Sequence, residues 1–486
     1  MESTNHDNSV SSLHPDYIVS ISLWDYLDDL YFGSDRWLEL AKTGFKPTDK
    51  TALYLPRHAA ESFENWQSRI NQSCYDDLFA KAIRQFVDLI FKNDVNFTSD
   101  SDGSEFISHY ENLDNHGVNG DVFFRQAALM AMRLGHCFIF IDLPVINAKN
   151  YQEYSELSPR PYWSLISPQN LINWECEFID NKLVFTLAVI KEEIYTRVGE
   201  FGYQKINQYR VYRPGAYFIY REVDNKAENN TDNKTDNKTD NKFVLHSSGD
   251  FISEYAYVPI VPVFGGSRLD DCVSVPPLRG LADKNRVLYQ LTSDHNRKVS
   301  LCCQPVPVLK DSMRGDEPLE IGPNSFINLR DPNGSFAWVE PLALSLEQSR
   351  KDLDDLKASI SNDAANFLTS PSDRQTSAAT HLLTSPVEAS LASFTANFSD
   401  GINQAIAIHN QMINCDCEVK IVLDTKLVPA SGVPKKEQIA IALRGLFTDG
   451  IIGRGTVLKA LEKLDLFDKD FDLEQELSTD DRYIKL

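Results

Sequence analysis

Two long, heavily charged stretches flank a short turn-rich insert, and no other feature constrains the chain as much. The first, PPLRGLADKNRVLYQLTSDHNRKVSL, opens through Pro276-Pro277, residues suited to a helix N-terminus. It places Leu281, Leu288, Leu291 and His295 on one face. The second, SLEQSRKDLDDLKASISNDAANF, carries Leu346, Leu353, Leu356, Ile360, Ala364 and Phe367 at intervals of seven, three, four, four and three. This narrow apolar stripe ringed by charge is the pattern of a helix packed against like helices. At ~1.5 Å rise per residue each rod reaches roughly 35 Å. Such rods are not expected to cover their own apolar edges. Between them, Cys302 to Glu340 is punctuated by proline and glycine.

The rest of the chain alternates helical and β character. Residues 1–20 read as flexible, and Leu23 to Phe91 reads as mostly helical, with Phe79, Ala82, Ile83, Phe86, Leu89 and Ile90 on one apolar face. Within it, YLPRHAAESFENWQSRI (Tyr54 to Ile70) sets a stiff loop before a helix. Pro56 fixes its own φ and biases Leu55 toward extended backbone, Ser62 is a cap, and Phe63, Trp66 and Ile70 recur at helical spacing. Trp66 is a packing anchor on this reading, and Arg57 is a candidate ion-pair partner. From Asp121 to Val145 a helix ends at Gly135 and a buried strand stops at Pro144. Residues 160–265 are β-rich, with a hairpin about Pro214-Gly215 and a strand in VPIVPVFGG. Three consecutive TDNK units from Thr231 to Lys242 are too polar to form a core and read as an exposed loop. A third long helix runs from Pro386 to Asn414 with Leu391, Phe394, Phe398, Ile402 and Ile406 in register. The strand CEVKIVLD follows, then two helices about a Gly450–Gly455 turn and an acidic tail.

Composition excludes some functions. Apolar residues make up 42% of the 486, enough for a sizeable core. Seventy acidic residues against 48 basic ones give a net charge of −22, which disfavours a tight grip on nucleic-acid phosphates but permits DNA to slide past. The N-terminus lacks an apolar h-region, so the eight cysteines (Cys74, Cys137, Cys176, Cys272, Cys302, Cys303, Cys415, Cys417) read as reduced thiols. Cys415-Asp416-Cys417 has no second pair at zinc spacing, and its reading is structural. No apolar run approaches a membrane span. GxxxxGK[ST], GxSxG, HExxH and a strand-linked GxGxxG are all missing. His136 and His295 read as packing or surface residues, and Asp352, Asp354 and Asp355 as a solvated helix face. No catalytic, cofactor or metal residues are assigned. The weight falls on a structural or assembly protein.

Four stretches in order carry a resemblance: YLPRHAAESFENWQSRI, FFRQAALMAMRLGHCFIFIDLP, RPYWSLISPQNLINW and PPLRGLADKNRVLYQLTSDHNR. They resemble a tailed-phage portal family long catalogued as a domain of unknown function, and GLFTDGIIGRGTVLKAL is similar to portal C-terminal segments. The resemblance covers most of residues 20–470 and implies an α+β portal fold. It implies a wing at 21–277 with 386–432, stem helices at 278–301 and 344–368, a small α/β clip at 302–343, a channel loop at 369–385 and a crown and acidic tail at 433–486. It further implies a non-enzymatic ring of twelve subunits at one capsid vertex, found in the virion and, during assembly, in the host cytoplasm. Its partners would be double-stranded DNA, the terminase large subunit, a head-tail adaptor, and the major capsid and scaffolding proteins. Channel candidates are Arg350, Lys351, Ser372, Arg374, Gln375 and Thr376; Arg350, Lys351 and Arg374 suit weak phosphate contacts or intersubunit ion pairs equally. Clip docking candidates are Lys310, Asp311, Arg314, Asp316 and Glu317. The alternatives are another phage neck or baseplate component, or a cytosolic enzyme with an unrecognised site.

Overall fold

The computed structural model describes residues 9–42, 44–99, 105–144, 160–179, 182–222, 243–250, 257–302, 306–310, 331–339, 344–366 and 377–423. The TDNK units, Asp311, Arg314, Asp316, Glu317, Ser372, Arg374, Gln375, Thr376 and residues 433–486 lie outside them. Residues 1–367 with 391–424 form one compact unit, and 368–390 with 425–486 a second. The class is mixed helix and sheet, as expected for α+β.

Helix α1 (Pro15–Phe32) buries Tyr17, Trp24, Leu27, Leu30 and Tyr31. Flexibility was expected through residue 20, but the helix already starts at Pro15. Pro15 opens the first turn, and the His14 side chain accepts from the Asp16 N–H while its ring stacks 4.0 Å from that of Trp174. A hairpin, β1 (Leu38–Ala41) with β2 (Gly44–Pro47), then interrupts the stretch expected to be helical. Three helices follow: α2 (Thr51–Tyr54), α3 (Phe63–Gln72) and α4 (Leu78–Ile90). The α4 face of Phe79, Ala82, Ile83, Phe86 and Ile90 is buried as its spacing predicts, while Leu89, expected on the same face, is only half-buried.

After β3 (Asn96–Ser99) and α5 (Glu105–Tyr110), α6 (Gly120–Leu134) feeds β4 (His136–Asp142) through Gly135. Gly135 has φ 94°, a left-handed value that ends a helix at little cost only for glycine. β4 is the middle of a three-stranded antiparallel sheet, between β5 (Tyr162–Ile166) and a strand from the far end of the β-rich region. That region first forms a five-stranded antiparallel meander: β6 (Leu171–Ile179), β7 (Lys182–Val198), β8 (Gly202–Arg213), β9 (Ala216–Glu222) and β10 (Phe243–Asp250). The β8–β9 turn falls at Pro214-Gly215, and β11 (Ile260–Phe264) completes the smaller sheet beside β4.

Helix α7 (Arg279–Cys302) leads to β12 (Val306–Lys310), which pairs antiparallel with β13 (Ser335–Val339), and α8 (Leu344–Asn366) follows. Next come α9 (Ser377–Met412) and β14 (Val419–Val422), which pairs with β3. Residues 377–385, expected as channel loop, are helical. Pro386 suits a first turn and so mimics a start, but Ala378, Ala379, Leu382 and Leu383 are good helix formers that extend the helix behind it. Further along, Leu391, Phe394, Phe398, Ile402 and Ile406 are each at most 3% exposed. Phe394 meets Phe86 edge-on at 5.6 Å, and Phe398 meets Phe91 at 6.2 Å. Gly401 lets α9 cross β11 closely, since a Cβ there would lie 3.0 Å from the Val263 Cα. No described helix is long and apolar enough to cross a membrane.

Cys415 and Cys417 are joined by a disulfide, against the expectation of reduced thiols. The reason is local: Asn414 sits at φ 55° and the Cys415 N–H bonds to the Asn410 carbonyl, folding the chain back at the end of α9.

Replacing Phe398 by Ala should cost about 3–5 kcal/mol, read as a lower urea midpoint at unchanged slope. A loss under about 1 kcal/mol would show that α9 does not close the core.

Candidate functional site

The loop and helix at Tyr54–Gln72 build a clamp that fixes the second half of α7. Ser62 Oγ accepts from the Asn65 N–H, 3.2 Å away, and starts α3 where expected. Trp66 packs at 8% exposure and its indole N–H donates to the Leu55 carbonyl at 3.0 Å, so the stiff loop before Pro56 is tied back onto the helix. Phe63, predicted on the buried stripe, remains 48% exposed.

One turn after Trp66 stands Arg69, whose side chain is 3% exposed beside a Glu61 side chain at 1%. Arg69 Nε and Nη2 donate to the two Glu61 oxygens at 3.0 and 2.9 Å, a bidentate pair. Nη2 also donates to the Pro56 carbonyl at 2.6 Å and Nη1 to Ser293 Oγ at 3.3 Å. Glu61 further accepts from the His58 N–H at 3.1 Å and from Arg297 Nη1. Burial alone pushes the Glu61 carboxyl up. Hydrogen bonds from Arg69 and the His58 N–H, with the charges of Arg69 and Arg297, outweigh it and hold the group below its usual 4.5.

The clamp continues along α7. Gln290 Nε2 donates to the Tyr54 carbonyl at 3.1 Å, Asn296 Nδ2 to the Gln72 carbonyl at 3.1 Å, and His58 Nε2 lies 3.1 Å from Asp294 Oδ1. Nearer the start of α7, Asn285 Nδ2 donates to the Asp76 carbonyl while its Oδ1 accepts from the Phe79 N–H. Arg57, the expected ion-pair partner, is exposed; the pairing arginine is Arg69. A short apolar-polar repeat gives no signal for this, because the partners Ser293, Asp294 and Arg297 lie more than two hundred residues away.

The other side of α7 meets α8 antiparallel. Lys284 Nζ reaches Ser359 Oγ at 2.8 Å and Asp363 Oδ2 at 2.5 Å, while His295 Nδ1 lies 3.2 Å from Ser349 Oγ. Leu281, Leu288, Leu353 and Ile360 are buried, so the expectation that neither rod covers its apolar stripe within one chain needs correction. The inner stripe is covered by the partner rod and by α1–α4. Among the described apolar side chains of α7, Val287, Leu291 and Val299 stay open, at 36–38% exposure.

Among the predicted channel residues, Arg350 and Lys351 lie on the solvent side of α8. Each faces an acid one turn away: Arg350 Nε is 4.0 Å from Asp354 and Lys351 Nζ 3.4 Å from Glu347. Asp352, Asp354 and Asp355 are exposed on the same helix. Lys310, the one docking candidate among the described residues, closes the β12–β13 ladder opposite Ser335. In this hairpin Val308, Trp338 and Val339 are 46–51% exposed.

The buried histidines are structural. His136 is fully buried and held neutral by burial, its value lowered to about 3. His409 was not singled out from sequence; its Nδ1 accepts from Trp163 Nε1 at 3.1 Å and its Nε2 lies 3.0 Å from His109 Nδ1, which joins α9, β5 and α5.

A family described as a domain of unknown function (DUF4055) matches residues 277–412, which span α7 to α9. No curated protein matches the sequence. Among solved structures, a chain of "Virion of native gene transfer agent (GTA) particle" is similar at 10% identity and TM-score 0.41, covering 92% of this chain and 98% of that one. A chain of "Neck of native GTA particle computed with C12 symmetry" is similar at 10% identity and TM-score 0.41, over 79% and 89%. One of "Neck of empty GTA particle computed with C6 symmetry" stands at 11% and 0.40, over 80% and 90%. Identities and TM-scores this low do not define a shared fold.

Glu61→Gln leaves the buried Arg69 charge with only the half-exposed Asp294 carboxylate, 3.6 Å from Nη1, and should cost about 3 kcal/mol in denaturant melts, whereas Arg57→Ala should stay within about 0.5 kcal/mol. The Glu61 value is lowered in the folded state, so its contribution is complete above 4.5 and disappears as pH falls through the folded value. The wild-type protein should therefore lose stability on acidification with a steeper slope than Glu61→Gln; parallel slopes would remove Glu61 from the acid response.

Proposed function

We propose that this chain is a portal-type ring subunit, a mechanical conduit for double-stranded DNA rather than an enzyme. The observation that carries the reading is the rod pair α7–α8, anchored through the second half of α7 by the Glu61–Arg69 clamp and joined through a β-ribbon that leaves Val308, Trp338 and Val339 half exposed. A two-stranded ribbon is marginal by itself, and apolar side chains such as these are covered when copies associate. Neighbouring copies arranged by rotation would cover Val287 and Leu291 on the rods and the ribbon beyond them, a heterologous contact that closes into a ring.

In this reading α7 and α8 are the stem, the insert between them is the clip, and the channel role expected of 369–385 stays with the part that precedes α9. Arg350 and Lys351 each lie beside an acid of their own helix, so they offer DNA only weak, screened contacts. Together with the net charge of −22, this suits a surface along which a duplex moves rather than sticks. The clip would dock the terminase during packaging and a head-tail adaptor afterwards.

Purified full-length protein should form particles of about twelve times the 55.1 kDa chain in mass photometry, with a central hole in negative stain. A monomeric mass would overturn the reading, and a closed solid assembly would favour a neck or baseplate component. Trp338→Asp should reduce ring yield while leaving the far-ultraviolet circular dichroism unchanged. Deleting part of 369–376 should leave rings intact but impair DNA retention in a packaging assay; full retention would remove that segment from the channel.

A further inference from the structure

Two thiols meet at the edge of the five-stranded sheet. Cys176 lies on the edge strand β6 and is partly exposed; Cys272, 2% exposed, lies on the turn between β11 and α7. Their sulfurs are 3.5 Å apart although 96 positions separate them in sequence. The turn is held rigidly. Leu269 and Asp270 N–H groups donate to the Val273 carbonyl at 2.9 and 3.1 Å, Val275 N–H donates to Ser267 at 2.9 Å, and Ser274 Oγ donates to the Gly135 carbonyl at 2.6 Å. On the other side, the β6–β7 register shifts between Glu175 and Cys176, where Thr186 of β7 is left out of the ladder and Cys176 stays paired with Phe185. A disulfide requires about 2.05 Å between sulfurs, an approach of roughly 1.5 Å that side-chain rotation and a small strand movement supply.

We propose that Cys176 and Cys272 are a redox-responsive pair, converted by a small-molecule disulfide into a bond that staples β6 to the turn feeding α7. The more exposed Cys176, as thiolate, attacks the reagent RSSR, forms a mixed disulfide and releases RS⁻. Cys272 then gives its proton to water, and its sulfur attacks the Cys176 sulfur and displaces the second RS⁻. The two released thiolates take up the two protons, so two protein thiols and RSSR become one protein disulfide and two RSH. The Cys272 thiol is held protonated by its hydrogen bond to Cys176, by burial, and by the Asp271 and Asp270 carboxylates. The second step therefore speeds up as pH rises. The pair is independent of the ring reading and of the Cys415–Cys417 bond.

The test uses reduced full-length protein incubated with oxidised glutathione, alkylated, and digested without reductant. The expected product is a Cys176–Cys272 linked peptide, lighter by two hydrogens, that forms faster at about pH 9 than at about pH 7. The oxidised protein should melt about 3–6 °C above the reduced one. Cys176→Ser should abolish both the linkage and the shift, and Cys74→Ser, which removes an exposed thiol, should preserve both. If Cys176→Ser folds poorly, the wild-type peptide map decides alone. Complete alkylation of Cys176 and Cys272 in a sample whose Cys74 carries glutathione would overturn the proposal, as would linkage of either to another cysteine.

Discussion

The buried ion pair between Glu61 and Arg69 is the interaction on which the placement of the long helices depends. Both side chains are almost completely withdrawn from water, a costly arrangement unless every donor and acceptor is met. Here it is met by the Pro56 carbonyl, the His58 N–H, Ser293 and Arg297. Because Ser293 and Arg297 belong to α7, the clamp closes only when that helix is in place. A purely apolar contact would tolerate sliding of α7 by a turn; fixed bidentate geometry does not.

α7 has two different neighbours. One side packs against α1–α4, in the core around Leu281, Ala282, Leu288 and Tyr289 and through the clamp at Ser293 and Arg297. Its opposite side pairs antiparallel with α8 through Lys284, His295 and the buried Leu353 and Ile360. This division explains why one helix is both a core element and a rod. It also explains the narrow stripe on α8, which has α7 on one side and water on the rest.

Much of the scaffold was legible in the chain. The 3.6-residue period placed α7, α8 and the buried face of α4, glycine and proline marked the end of α6 and the β8–β9 turn, and Ser62 marked the start of α3. The readings failed where local preference was ambiguous. Pro386 resembled a helix start but lies within α9, and the short β1–β2 hairpin is hidden among helical signals. The clamp was half legible: Trp66 stood out as an anchor, but nothing in the local pattern marks Arg69. Nothing within ten residues of Arg69 announces that Ser293 will meet it or that Arg297 will meet Glu61.

The class of the fold, the long helices and their apolar sides are written in the chain, because they follow from the period of hydrophobic residues and from backbone chemistry within a few positions. Folding alone settles which charges are buried as pairs, that the rods cover part of their stripes within one chain, and that Cys176 and Cys272 lie sulfur to sulfur. Those outcomes depend on contacts between residues far apart in the chain, whose energies exist only once the backbone has brought the groups within a few ångströms.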